Sequence, residues 1–553
     1  MLALVILAAM LPVIFFSGSD AVSDDASDDV PADEREELPE QPISEEHEEL
    51  PPDEEESMAL PAPVPVDLSY DGDEPTAGTL TFDEISYNSV KLTSTGHALG
   101  GAAFVSGGFR YSARPDMLAS IDVPWNLGSF TSSPVSKTAA QLAPDTVYYA
   151  QIYLNTSFAG GAVYSTAAMF KTLPHAVIDL SATTASGDGY TVTGTPPYQT
   201  LNIYSSIGSP YIIIQSDGND PSTSIFQNIV VDRDPGTSAM TIMIRDINME
   251  CYEDDTPVFS VRPGAGSWNL NLLIDGENTM IQRASGAGNN AALSASRPNE
   301  GNFNTSAGVN IDTVAGGTGS LTAKGGAGGA GIGGGEKGLC GQIIIKSGNI
   351  TAEGGAGANG GAGIGSNGGY KKGDSQVYIG GGTVEATGGA GSESGGAGIG
   401  IGGNCIINRT YTYVYGTSEV AAAGGAGNSG GAGIGAGGNS ICGAGNNYFQ
   451  DIMIHDTAKV AATGGAGTYG GAGIGGGGAD IDYADQGRGG DVSITGTAKV
   501  VTTGGFGSSS SGAGIGGGGG SGTGIAGSGA AKLVLTSTVE VQAYSYSSDH
   551  PAI

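Results

Sequence analysis

The pentapeptide GAGIG occurs six times in the second half of this 553-residue chain, at 329–333, 361–365, 396–400, 431–435, 471–475 and 512–516. Its isoleucines, Ile332, Ile364, Ile399, Ile434, Ile474 and Ile515, are separated by 32, 35, 35, 40 and 41 residues. A period of about 20–50 residues marks stacked architectures in which each unit meets only its neighbours. Taken singly, Gly329–Gly334 satisfies G-x-G-x-x-G, the turn that cradles a dinucleotide phosphate. That chemistry needs one copy, placed between a strand and a helix. Here there are six, the last glycine is replaced by Ser366, Ile401 and Ala436 in three of them, and none opens a helix-forming run. The motif is therefore read as structural.

Two short stretches of alternating polarity precede each GAGIG. In QIIIKSGNITAEGG the inward positions are Ile343 and Ile345, then Ile350 and Ala352. Later copies give Val377/Ile379 and Val384/Ala386, Ile452/Ile454 and Val460/Ala462, and Val492/Ile494 and Val500/Thr502. Period-2 alternation predicts β-strands with one buried face. Three strands per repeat, counting GAGIG, match one coil of a parallel β-helix. The isoleucines are expected to stack as an interior ladder, with alanine and glycine permitting close backbone approach and positive φ. Between His175 and the first repeat, the apolar clusters NIVVD, MTIMI, PVFSV, LNLLI and VNIDT read as earlier rungs.

Composition adds bounds. Lys and Arg number 21 against 56 Asp and Glu, a net charge of −35, so nucleic acid is excluded as an expected partner. Eighteen of the acids lie between Asp20 and Glu56, interrupted by prolines. Such a segment buries too little apolar surface to fold, and 20–65 is read as a disordered acidic stalk. Leu2–Phe16 is apolar but shorter than the ~20 residues a membrane helix needs, so 1–19 is read as a signal peptide, with an N-terminal membrane anchor as the alternative. The C-terminus, SSDHPAI, has no sorting motif or apolar tail, so anchoring is expected at the N-terminus unless the sequence is incomplete. The four cysteines, Cys251, Cys340, Cys405 and Cys442, lack C-x-x-C spacing. Cys405 and Cys442 fall in equivalent inserts, but free thiols are expected.

Residues 66–174 show short strand patterns with turn signals every 8–12 residues, as in a β-sandwich. GGFRYS, LAPDTVYYAQIYL and FKTLP resemble bacterial fibronectin type III-like modules, which implies a core of Leu142, Tyr148 and Ile152 and a spacer role. Residues 175–553 then form the expected right-handed parallel β-helix. Over 175–545, the GGAGIGGG coils resemble exported bacterial surface proteins that join such a module to a β-helix and are described as carbohydrate-binding or adhesin-like. The resemblance implies an all-β, cell-surface or secreted, non-catalytic protein.

Two constellations carry chemistry. In TYTYVYG, counting back from Val420 places Thr412 and Val414 inside, so Tyr411, Tyr413 and Tyr415 point outward, flanked by Tyr378 and Met453 on adjacent coils. Tyrosines at ~6.6 Å steps offer a strip for stacking on sugar rings. The plainer reading is an aromatic ladder that stiffens the sheet. Asp480, Asp482 and Asp485 form the one dense acidic group of the β-helix region and the single candidate calcium site; its plainer reading is a solvated loop. No other cofactor is expected. The five histidines are too dispersed for a catalytic triad. The expected partner is a polysaccharide or a host or cell-wall glycan, bound by a monomer that meets a membrane only through its N-terminal segment. A purely structural spacer and a β-helix polysaccharide lyase are the alternatives.

Overall fold

The structure, a computed structural model, describes residues 4–5 and 73–553, the latter without 126–133, 158–160, 182–185, 187–188, 197, 205–211, 217–225, 233–239, 255, 263–267, 285–289, 296–306, 315–316, 335–338, 370–372, 443–448, 481–486, 522–531 and 547–551. The segments read as signal peptide and stalk thus lie almost wholly outside the described residues, as do Asp482 and Asp485.

The described chain is all-β. Its N-terminal part pairs strands antiparallel in two sheets. One contains Thr79–Asp83, Val90–Thr95 and Val135–Ala139, and the other is built around Phe104–Ser112 and Val147–Thr156. Leu92, Val135, Phe109, Ile152 and Leu154 fill a shared core, together with the expected Leu142. Tyr148 packs against that core and stacks on Phe170 at 5.6 Å. Its hydroxyl accepts a hydrogen bond from the Ala143 N–H at 2.9 Å.

From Ala176 onward the strands wind through three long sheets, here called faces A, B and C, with parallel pairing except for one hairpin and for Leu4–Val5 against Gln542 and Ala543. One coil comprises Gln342–Ile345 on face A, Asn349–Glu353 on face B and Ile364–Gly365 on face C. The next comprises Gly373–Ile379, Thr383–Thr387 and Ile399–Gly400, paired residue for residue with its predecessor. This is a parallel β-helix. An antiparallel hairpin, Tyr190–Thr193 with Gln199–Ile203, closes the start of face C, pairing an edge that would otherwise be open. Tyr87, from the antiparallel part, packs into the same interior as Ala176 and Ile178.

Every inward residue named from the alternation is buried, and all but the threonines Thr412 and Thr502 join one continuous core. The early coils fill it with Phe226, Phe259, Met249 and Leu272; the later ones use Ile, Val and Ala. The smaller residues belong to the coils that carry the glycine motif. Ile332, Ile364, Ile399, Ile434, Ile474 and Ile515 pair in register and are at most 1% exposed. Burial of each stabilises the stack by about 1.5–3 kcal/mol.

Each glycine of the motif has a separate reason. The last, from Gly333 to Gly516, has φ between +131° and +138°, which residues with a Cβ rarely adopt. A Cβ on the first would lie 2.0–2.1 Å from a carbonyl oxygen of the preceding coil, as Gly361 does beneath Gly329. One on the middle glycine would meet another atom within 2.7 Å. This close approach lets backbone bond directly to backbone. Gly355 N–H donates to Gly329 O, Gly361 to Gly355, Gly389 to Gly361 and Gly396 to Gly389, and the alternation continues through Gly425, Gly431, Gly465, Gly471 and Gly505 to Gly512, with N···O distances of 2.7–3.1 Å. Where the glycine after GAGIG is replaced, Ile401 and Ala436 pack with Cys405 in a small separate cluster. Cys251, Cys340 and Cys405 are buried thiols; the side chain of Cys442 lies outside the described residues.

Candidate functional site

Face A carries the tyrosines. The strand Ile406–Val414 alternates sharply: Thr410, Thr412 and Val414 are buried, while Tyr411 and Tyr413 are half-buried on the outer side, with Tyr415 just beyond the strand end. Pairing places Tyr378 beside Tyr413 on one side and Met453 on the other. The phase and neighbours expected from the sequence are those found.

The rings do not lie in one plane. Tyr378 and Tyr413 meet edge to face at 5.2 Å and 83°, and Tyr411 and Tyr413 at 6.2 Å and 67°. Equivalent positions on adjacent coils are only ~4.8 Å apart, too close for two rings to lie flat side by side, and the ring quadrupole favours the edge-on solution. Tyr415 differs. It stacks on His455 of the next coil at 5.5 Å and 10°, and its ring lies over Gly380, where a Cβ would come within 2.8 Å of it. Glycine at 380 is what makes room for that ring.

Polar groups frame the cluster. Tyr413 Oη donates to Asp451 Oδ2 at 3.2 Å. Burial first, and then the neighbouring Asp451 carboxylate, push the Tyr413 phenol up to about 12. Burial likewise raises Tyr378, against which a hydrogen bond with Gln342 acts. On the outer side, Gln342 pairs with Gln376, Gln376 with Tyr411, Tyr411 with Asp451, and Asp451 with Asp491. Earlier coils continue the surface with amides: Asn269 Nδ2 donates to Gln342 Oε1 at 2.8 Å and Asn310 Nδ2 to Asn271 Oδ1 at 2.9 Å. Asn269 and Asn271 escape sequence reading because their coil lacks GAGIG, so nothing fixes its register against the tyrosine strand.

Such a surface offers aromatic faces and edges next to fixed amide and carboxylate groups. Its chemistry suits a ligand that combines C–H patches with hydroxyls. Among the described residues, no group of three or more His, Cys, Asp or Glu side chains is arranged to hold a metal. Asp480 accepts from Asn428 Nδ2 at 2.8 Å, and its backbone N–H donates to Asn439 Oδ1.

No family model matches the chain, and no curated protein matches it. Among solved structures, the chain has been aligned with a pectate lyase from Pectobacterium carotovorum at 12% identity, over 85% of this chain and 100% of that one, with a TM-score of 0.16. An overlap this loose carries no argument on activity. The fold assignment rests on strand pairing: a parallel β-helix preceded by two antiparallel sheets.

Proposed function

We propose that this chain is a non-catalytic bacterial cell-surface or secreted protein that binds glycan through the outer side of face A. One observation carries the reading. Tyr378, Tyr411, Tyr413 and Tyr415 gather on two adjoining coils, partly open to solvent and continuous with the Gln342–Gln376 amides and Asp451. In this reading residues 66–174 are a fibronectin type III-like spacer. The two antiparallel sheets support that, and so does the Tyr148–Ala143 bond, which has the form of the tyrosine corner of such sandwiches. Residues 1–19 direct export or anchor the chain, residues 20–65 space it from the surface, and residues 175–553 present the binding face. Calcium at Asp480, Asp482 and Asp485 is not required.

The test is a glycan array probed with the full chain and with the Tyr411→Ala/Tyr413→Ala/Tyr415→Ala variant. Each aromatic contact contributes about 0.5–1.5 kcal/mol beyond its area, so the triple change is expected to weaken binding by at least about tenfold. The fold is expected to survive, because no inward position changes. Undiminished binding with unaltered circular dichroism refutes the site. Absence of any ligand leaves the spacer alternative, and release of unsaturated uronides from a polysaccharide establishes the lyase.

A further inference from the structure

We propose that the corner between faces C and A binds a file of ordered water molecules inside the coil stack, bridging Ser375, Thr410 and Gln450. These residues are stacked neighbours on three successive coils: Ser375 pairs with Thr410, and Thr410 with Gln450. They are 0%, 0% and 6% exposed. Yet Ser375 Oγ, Thr410 Oγ1 and Gln450 Oε1 have no hydrogen-bond partner within the chain, and neither has Thr412 Oγ1 on the same strand. Buried polar atoms of this kind are almost always satisfied, by protein or by ordered water.

The spacing explains why water fits. Equivalent atoms on adjacent strands repeat every ~4.8 Å, beyond the ~2.8 Å reach of a direct hydroxyl–hydroxyl bond. Two bonds of about 2.8 Å meeting at about 118° on one oxygen span about 4.8 Å, close to the tetrahedral preference of water. Room comes from the motif. Ser375 Oγ would be 3.1 Å from a Cβ on Gly365, and Gln450 Nε2 2.5 Å from one on Gly435, so these side chains turn toward positions where glycine leaves space. Gln450 spends its amide N–H on Gly475 O at 3.2 Å and keeps Oε1 as an acceptor.

The same arrangement recurs one coil earlier, overlapping two of these three coils. Asn359 pairs with Ser394, and Ser394 with Ser429. Asn359 Oδ1, Ser394 Oγ and Ser429 Oγ are again buried with no partner in the chain. Two columns of stacked acceptors at one repeat distance make the internal hydration a property of the coil rather than of one residue.

Oxygen-17 relaxation dispersion on the full chain counts long-lived internal waters, and high-resolution density locates them. The parent is expected to hold several, including peaks between the Ser375, Thr410 and Gln450 side chains. Thr410→Val keeps the shape and removes the hydroxyl, and is expected to lose at least one such water and a few degrees of thermal midpoint. Should Thr410→Val fail to fold, Ser375→Ala asks the same question with a smaller change. An unchanged count in a folded variant overturns the proposal whichever way the midpoint moves, as does density showing a dry corner.

Discussion

Replacing Gly431 by alanine adds one methyl group to a chain that already contains many alanines, and it tests the account of the motif directly. At an unconstrained site, glycine to alanine stabilises by about 0.4–1 kcal/mol through the unfolded state. Here the new Cβ would stand 2.0 Å from Gly396 O and 2.5 Å from Gly396 C, where real Cβ atoms stay beyond 3.0 Å. The stack must open by about 1.0 Å at this point, the difference between those two values. The bonds from Gly431 N–H to Gly425 O (3.0 Å) and from Gly465 N–H to Gly431 O (2.7 Å) lie in the path of that movement. Leaving buried backbone groups unsatisfied costs about 1–3 kcal/mol each. With two bonds at risk and the entropic gain subtracted, the net destabilisation is about 1–6 kcal/mol. Urea denaturation followed by circular dichroism reads the total, and amide exchange at positions 431 and 465 reads where it falls. A Gly431→Ala protein as stable as the parent, with those amides still protected, would refute the close-contact argument.

Two further outcomes follow from the same geometry. Ile434→Asp places a carboxylate in the interior ladder, where Ile434 is fully buried, and is expected to cost several kcal/mol or to open the helix locally; a parent-like melt would show that the ladder faces water. The Tyr413 phenol, raised to about 12 against about 10 in the unfolded chain, stays neutral in the folded state while the unfolded state ionises. Its contribution is therefore complete below pH 10 and is lost as pH climbs from about 10 to about 12. Tyr413→Phe should show a shallower decline in stability over that window in denaturation curves, and identical slopes would count against the burial of the phenol.

Alternation made the coils legible in the sequence. Inward pairs such as Val384/Ala386 and Val460/Ala462 announce themselves, because a one-residue slip would turn every one of them outward. The same counting placed Thr412 inward and Tyr411, Tyr413 and Tyr415 outward. What alternation cannot carry is the orientation of a side chain about its own bonds. The edge-to-face packing of Tyr378 on Tyr413 depends on the distance between coils, and the stacking of Tyr415 on His455 depends on the space above Gly380. Nor does glycine signal its bonding: the relay from Gly329 to Gly512 uses only main-chain groups, which leave no mark in the sequence beyond the absence of a Cβ.

That relay has a bearing on how the molecule can change in length. Its contacts between successive coils are almost the same at every step, glycine backbone on glycine backbone, so no junction depends on a side-chain shape found at one place only. Most of the difference in repeat length is absorbed in the stretches that join GAGIG to the face A strands, and only one residue of it within the relay, where Gly389–Gly396 and Gly505–Gly512 are one residue longer than Gly355–Gly361. A gene duplication or deletion of one whole repeat would therefore rejoin matching surfaces and change the reach of the stack by ~4.8 Å without redesigning the interior. The array behaves as a chain of interchangeable links whose number is free so long as each keeps its paired contacts.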